Sequence, residues 1–128
     1  MRLILDSHTL IWAVDDPIKL SRTAEALILD PNNVRLLSTA TYWEMAIKVA
    51  LGKLPLIMPY RSWMDKAIAD LRLDILPLTL NHTERITLLP FHHNDPFDRG
   101  LAAQSLLEGF PLLSRDVIFD AYGVNRVW

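Results

Sequence analysis

Leu3-Ile4-Leu5 is an apolar run that stops dead on a carboxylate, Asp6, and the same rhythm recurs along the chain. Short apolar runs alternate with amphipathic stretches, the pattern of an α/β domain with a mainly parallel central sheet. Leu3–Leu5 reads as a first strand, and Ser7 is positioned to cap a helix running to about Val14, broken at Asp15-Asp16-Pro17. A second helix begins near Ser21 and carries Ala24, Leu27 and Ile28 on one face, before Pro31-Asn32-Asn33 turns the chain. Val34–Leu37 reads as a strand, and Tyr42–Leu51 as a helix stopped by Gly52. Ser62 to about Leu71 is helical by the spacing of Trp63, Ala67 and Leu71. Ile75-Leu76 suits a short strand, and Thr83–Leu89 a helix ended by Pro90. Asp95-Pro96 opens a helix through Glu108 that Gly109 stops. Pro111–Ser114 and Val124–Val127 complete the strands, the latter at an edge.

At 128 residues, 51% of them apolar, the chain suits one domain with a substantial core, residues 1–128. No stretch reaches the roughly 18 apolar residues of a membrane span, and Asp6 interrupts any signal-peptide core, so a cytoplasmic protein is expected. The absence of cysteine excludes disulfides and thiolate zinc sites. The net charge of −2 argues at first sight against a nucleic-acid partner. If four carboxylates belong to one metal site, thirteen basic residues face eleven remaining acids, a balance of +2, and bound cations add to it. Charge therefore leaves that partner open and implies weak non-specific binding.

Ligands of open α/β sheets gather at the carboxyl ends of the strands. Asp6 follows the first strand directly, and Asp116 follows Pro111–Ser114 by two residues. Glu44 falls in the first turn of the helix after the second strand, and Asp98 in the first turn of the helix preceding Pro111–Ser114. These positions share one edge of the sheet, so all four acids are expected on one patch. Clustered carboxylates repel and raise one another's pKa unless neutralised. Mg²⁺ or Mn²⁺, hard cations that prefer oxygen ligands, offset the repulsion and support phosphodiester hydrolysis. Ser114 offers a further hydroxyl ligand, or holds a carboxylate in place.

Each acid also has a plainer reading. Thr41-x-x-Glu44 has the spacing of a capping box, and Asp98 sits one turn into a helix that Asp95 and Pro96 open. Asp6 and Asp116 suit turns, and N-capping accounts fully for Asp95. Lys48, four residues after Glu44, suits either a helix-surface ion pair or a phosphate contact. Arg99 suits either an RNA phosphate or solvent, and Ser38 either the site or local backbone groups. His92 and His93 do not share a helix face and have no third nitrogen or sulfur ligand nearby, which favours structure or RNA contact over zinc. Trp12, Trp43 and Trp63 are spaced as core or interface aromatics, with base stacking open to one of them.

Several ordered segments carry a family resemblance. They are Leu-Ile-Leu-Asp6-Ser-His-Thr-Leu-Ile-Trp12, Ser38-Thr-Ala-Thr-Tyr-Trp-Glu44-Met-Ala-Ile-Lys48, Gly52-Lys-Leu54, His92-His-Asn-Asp-Pro-Phe-Asp98-Arg-Gly-Leu-Ala-Ala-Gln104, Leu113-Ser-Arg-Asp116 and Tyr122-Gly-Val-Asn-Arg-Val-Trp128. Taken together, the chain resembles the PIN-domain ribonuclease toxins of the VapC type over essentially its whole length. The resemblance implies a PIN-like α/β/α sandwich and a Mg²⁺- or Mn²⁺-dependent endoribonuclease. It further implies restraint by a cognate VapB-type antitoxin and a homodimeric state. Asp6, Glu44, Asp98 and Asp116 match the family's acidic positions. Ser114 stands where the family often has Thr, and Gly100 where an aliphatic residue is usual. Two other functions compete with this one. A phosphatase using Asp6 as nucleophile would ordinarily carry a second Asp close by, where this chain has Ser7-His8-Thr9. A silent RNA-binding or interaction module would have no need of the complete acid set.

Overall fold

Short strands that are apolar on both faces need cover on both, and this requires helices on both sides of the sheet. The computed structural model describes residues 1–128 and has this architecture. Strands β1 (Arg2–Leu5), β2 (Val34–Ser38), β3 (Leu73–Leu76), β4 (Leu112–Leu113) and β5 (Arg126–Val127) form one sheet, ordered β3-β2-β1-β4-β5. Every pairing is parallel, with Ile4 opposite Leu36 on one side and Leu112 on the other. The helices are α1 (Ser7–Asp15), α2 (Arg22–Leu29), α3 (Thr39–Ala50), α4 (Tyr60–Leu71), α5 (Leu80–Leu88) and α6 (Pro96–Glu108). Two 3₁₀ turns, Pro17–Lys19 and Val117–Tyr122, complete the chain. No helix is long and apolar enough to cross a membrane.

The period of two along each strand divides the core. Leu3, Leu5, Leu37 and Leu113 face one layer, where they meet Leu10 of α1, Ala24 and Ile28 of α2, and Trp63, Met64 and Ala67 of α4. Ile4, Leu36 and Leu112 face the other, against Leu101, Ala102 and Ala103 of α6 and Phe119 and Tyr122 of the second 3₁₀ turn. The expected α/β/α sandwich is thus the observed one. Arg35, on β2, is 8% exposed and donates to the carbonyls of Ile28, Asp30 and Leu71. It ties α2 and α4 to the sheet.

The differences from the sequence reading lie at element starts. Asp6, not Ser7, caps α1, since its carboxylate accepts from the Thr9 amide. Helix α3 starts at Thr39 rather than Tyr42 because Ser38 caps it. Helix α5 starts at Leu80 rather than Thr83 because Thr79 and His82 close a capping box. Asp95 caps α6 and Gly109, at φ +72°, ends it where the sequence indicated.

Candidate active site

Strands β1 and β4 are neighbours, so the residues that follow them meet although they are far apart in sequence. Asp6 is buried at the end of β1. One carboxylate oxygen, Oδ1, accepts from the Thr9 amide at 2.8 Å, and the other, Oδ2, from the hydroxyl of Ser114. The Ser114 oxygen in turn accepts from the Asp116 amide at 3.0 Å. Ser114 therefore links the Asp6 carboxylate to the Asp116 backbone through one buried hydroxyl. The Asp116 side chain is exposed, and its Oδ1 accepts from the Ile118 amide at 3.0 Å, capping the second 3₁₀ turn. Asp6 and Asp116 line a common cleft of ≈ 320 Å³ with His8, Trp12, Arg115 and Val117.

The remaining two acids come from helices α3 and α6. Because α3 begins at Thr39, Glu44 lies in its second turn, not its first. It is 4% exposed, and its Oε2 accepts from Lys48 Nζ at 2.9 Å. The Thr41–Glu44 capping box does not form, since Ser38 is the cap and Thr41 lies inside the helix with its hydroxyl buried and unpartnered. Asp98 is not the cap of α6 either, because Asp95 accepts from the Phe97 and Asp98 amides at 2.8 and 3.0 Å. The Asp98 carboxylate is left free to bond His93 Nε2 at 2.9 Å. Burial raises the Asp98 pKa from 3.8 to about 6, and the negative charges of Asp95 and Glu44 add to the rise against the His93 hydrogen bond. Glu44 is thus near enough for its field to reach Asp98. Glu44 also lines a second cleft of ≈ 240 Å³ with Ser7, Met45, Lys48 and Lys53, and His8 borders both clefts.

Potential metal ligands follow from this layout. One oxygen each of Glu44, Asp98 and Asp116 accepts no hydrogen bond, and carboxylate oxygens suit hard divalent cations. A tighter trio is formed by His93, Asp95 and Asp98, with one ligand atom of each within 4.8 Å of the others. The sequence reading set His93 and Asp95 apart from the acids. Asp95 does cap its helix, but His93 is a direct partner of Asp98, five residues away across the Pro96 turn, and no periodicity marks that pairing.

The supporting residues divide. Ser114 is at the centre of the acid pair, and Lys48 pairs with Glu44 while 41% of its side chain stays exposed. Ser38 is fully buried and caps α3. Arg99 does not reach a phosphate position: it is 5% exposed and donates to the carbonyls of Ile86, Leu89 and Pro90 and to the Tyr122 hydroxyl. The Phe91 ring covers it at 4.0 Å. A neighbouring acid suggested a phosphate clamp, but the backbone carbonyls where α5 ends claim the guanidinium. Trp63 is core, with its indole N–H on Asp15, whereas Trp43 is exposed against the edge of Phe97 and Trp12 stands in the Asp6 cleft.

The family model for the PIN domain matches residues 3–125. The chain belongs to the PIN domain family. No curated protein matches it in sequence. Solved structures match it in fold at low identity. VapBC2 from Rickettsia felis, bound to a DNA fragment from its promoter, superposes with a TM-score of 0.74 at 16% identity, covering 99% of this chain and 98% of that one. FitAcB from Neisseria gonorrhoeae gives 0.63 at 18%, covering 98% and 96%. Mycobacterium tuberculosis VapC20, a Sarcin-Ricin loop cleaving toxin, gives 0.61 at 17%, covering 97% and 96%.

Proposed function

We propose that this PIN domain is a VapC-type toxin, a Mg²⁺- or Mn²⁺-dependent endoribonuclease that acts in the cytoplasm and is neutralised by a VapB-type antitoxin. The observation that carries the reading is the joining of Asp6 and Asp116 through Ser114 at adjacent strand ends, with Glu44 and Asp98 offered by two helices starting at the same edge. These four carboxylates hold the metal, and the donor set fits it: oxygen ligands only, several with a free oxygen. Bound there, Mg²⁺ or Mn²⁺ supplies an activated water and charge stabilisation at the leaving oxygen. Ser114 fixes the orientation of Asp6, and Lys48 neutralises Glu44 while its exposed ammonium stays within reach of a substrate phosphate. His93 orients Asp98. The resulting cut leaves 5′-phosphate and 3′-hydroxyl ends.

The partner side of the reading rests on solved relatives that are toxin–antitoxin complexes and on exposed apolar side chains here. Ile18 and Leu29 around α2 are 90% and 69% exposed and suit an amphipathic antitoxin helix. Trp43 and Phe91 suit a second copy of the chain in a homodimer. An antitoxin Arg or Lys inserted among the acids would compete with the metal.

The test is cleavage of total and oligomeric RNA with Mg²⁺, Mn²⁺ or EDTA, beside an Asp6→Asn control, with fragment ends mapped. Full activity in EDTA, or 2′,3′-cyclic phosphate ends, refutes the mechanism. Co-expression with the neighbouring open reading frame tests the toxin half. If no small protein co-purifies and the chain alone is harmless in its host, that half fails.

A further inference from the structure

A nuclease whose chain carries a net charge of −2 cannot rely on electrostatics alone to hold a polyanion. The cleft beside Asp6 contains something else. His8 and Trp12, four residues apart on α1, share one helix face that starts at Asp6. Their rings lie 5.6 Å apart with planes inclined at 35°. Behind Trp12 stands Trp128, edge-on at 5.9 Å. The Trp12 indole is therefore held by two aromatic neighbours yet only partly buried, and it lines the cleft. Six helical steps lead from Asp6 to Trp12, roughly 9 Å at 1.5 Å per residue, a reach of the order of a nucleotide.

The other wall carries Arg115, which is exposed and makes no hydrogen bond or ion pair within the chain. Three other arginines are held in the fold, Arg35 and Arg99 by buried carbonyls and Arg126 by Asp120 and the Ser114 carbonyl, and none of them lines this cleft. A rigid, part-exposed indole and a free guanidinium flank two carboxylates in a single cleft. That is the equipment of a single-strand binding groove, in which a ring receives a base and a cation meets the backbone.

We propose that this cleft is a nucleobase subsite, in which Trp12 stacks on the unpaired base next to the scissile phosphate and Arg115 meets an adjoining phosphate. The assignment rests on the nuclease reading above and requires RNA unpaired at the cut, because bases within a duplex have no free face to offer. Val117, 67% exposed at the rim, leaves the cleft open to an entering strand.

The test uses fluorescein-labelled octaadenylate in Ca²⁺, read by anisotropy, beside an inorganic polyphosphate of eight units as a competitor that has the charges without the bases. Trp12→Leu weakens octaadenylate binding by about tenfold and leaves polyphosphate competition unchanged. Arg115→Gln weakens both ligands. Trp12→Phe keeps the aromatic face, so its affinity stays within about threefold of wild type. It also reduces the tryptophan quenching that unlabelled octaadenylate produces in the wild-type protein, a readout that stands even if Trp12→Leu fails to fold. Unchanged octaadenylate affinity in folded Trp12→Leu, undiminished quenching in Trp12→Phe, equal effects on polyphosphate, or no octaadenylate binding at all overturns the proposal. Loss of antitoxin binding in Trp12→Leu with RNA binding intact does so too, by assigning the ring to a protein. Binding with the expected signatures but no RNA cleavage in Mg²⁺ or Mn²⁺ refutes the nuclease reading and leaves the base site standing.

Discussion

Neutralising Asp98 should stabilise the metal-free protein, and the pH at which it does so is set by the site. The Asp98 carboxyl titrates near 6 in the fold against an ordinary 3.8, chiefly because it is buried and faces the charges of Asp95 and Glu44. At 1.36 kcal/mol per pH unit, the folded state disfavours the ionised form by about 3 kcal/mol. The sign follows from the raised value. Below about pH 4 the group is neutral in both folded and unfolded chains and contributes no difference. Between about pH 4 and 6 the unfolded chain ionises first, and stability falls. Above pH 6 the full cost is present. Asp98→Asn keeps a polar partner for His93 and removes the charge. In EDTA at pH 7.5 the variant should melt higher than wild type, by up to about 3 kcal/mol in urea unfolding, and the two should converge near pH 4. Added Mg²⁺ should reverse the order by stabilising only the chain that binds it. A variant that is less stable than wild type at pH 7.5 without metal would refute the argument and return Asp98 to a purely structural role.

Other consequences follow from the same geometry. Arg99→Met should cost about 3 kcal/mol, because it strands the Leu89 and Pro90 carbonyls where α5 ends and removes a donor from Ile86; a loss below about 1 kcal/mol in chemical denaturation would show that the clamp is unimportant. Gly100→Ala should gain about 1 kcal/mol and a few degrees in Tm, since a Cβ there would meet Ala40 Cβ and Leu78 Cδ1 at 3.8 and 3.9 Å, ordinary contact distances; destabilisation would mean that the helices need the closer approach. Thr41→Val should be neutral or stabilising by about 1 kcal/mol because it removes a buried, unpartnered hydroxyl; a clear loss of stability would reveal a partner for that oxygen.

What was legible in the sequence was local. Helix α6 announced both ends, through Asp95-Pro96 and Gly109, and β1 announced its end through Asp6. The start of α3 was misread by three residues because Thr41 and Glu44 imitate a capping box, while the real cap, Ser38, looks like the last residue of a strand. Arg99 and His93 were beyond local reading, because their partners are fixed by tertiary approach: the end of α5 for one, and a carboxylate across a proline turn for the other. The bond from Ser114 to Asp6 spans 108 residues and exists because β1 and β4 are neighbours in the sheet. Topology rules placed the acids on one edge, but no local pattern in either segment specified that pairing.

The opposition between capping residue and site residue dissolves once the caps are resolved. Asp6 and Asp116 each use Oδ1 to cap the element that follows a strand. Capping fixes the carboxylate at the strand end, where Oδ2 of Asp6 meets Ser114 and Oδ2 of Asp116 accepts no bond. For these two acids the structural role orients the functional one. Glu44 and Asp98 follow the opposite rule. Ser38 and Asp95 relieve them of capping, and burial together with the charges of Asp95 and Glu44 penalises ionisation of Asp98. A fold selected for stability alone would have little reason to keep an unfavourable acid beside a dedicated cap. A cation or an incoming cationic side chain beside Asp98 offsets the cost of ionising it, which ties both the proposed catalysis and its proposed inhibition to this buried acid.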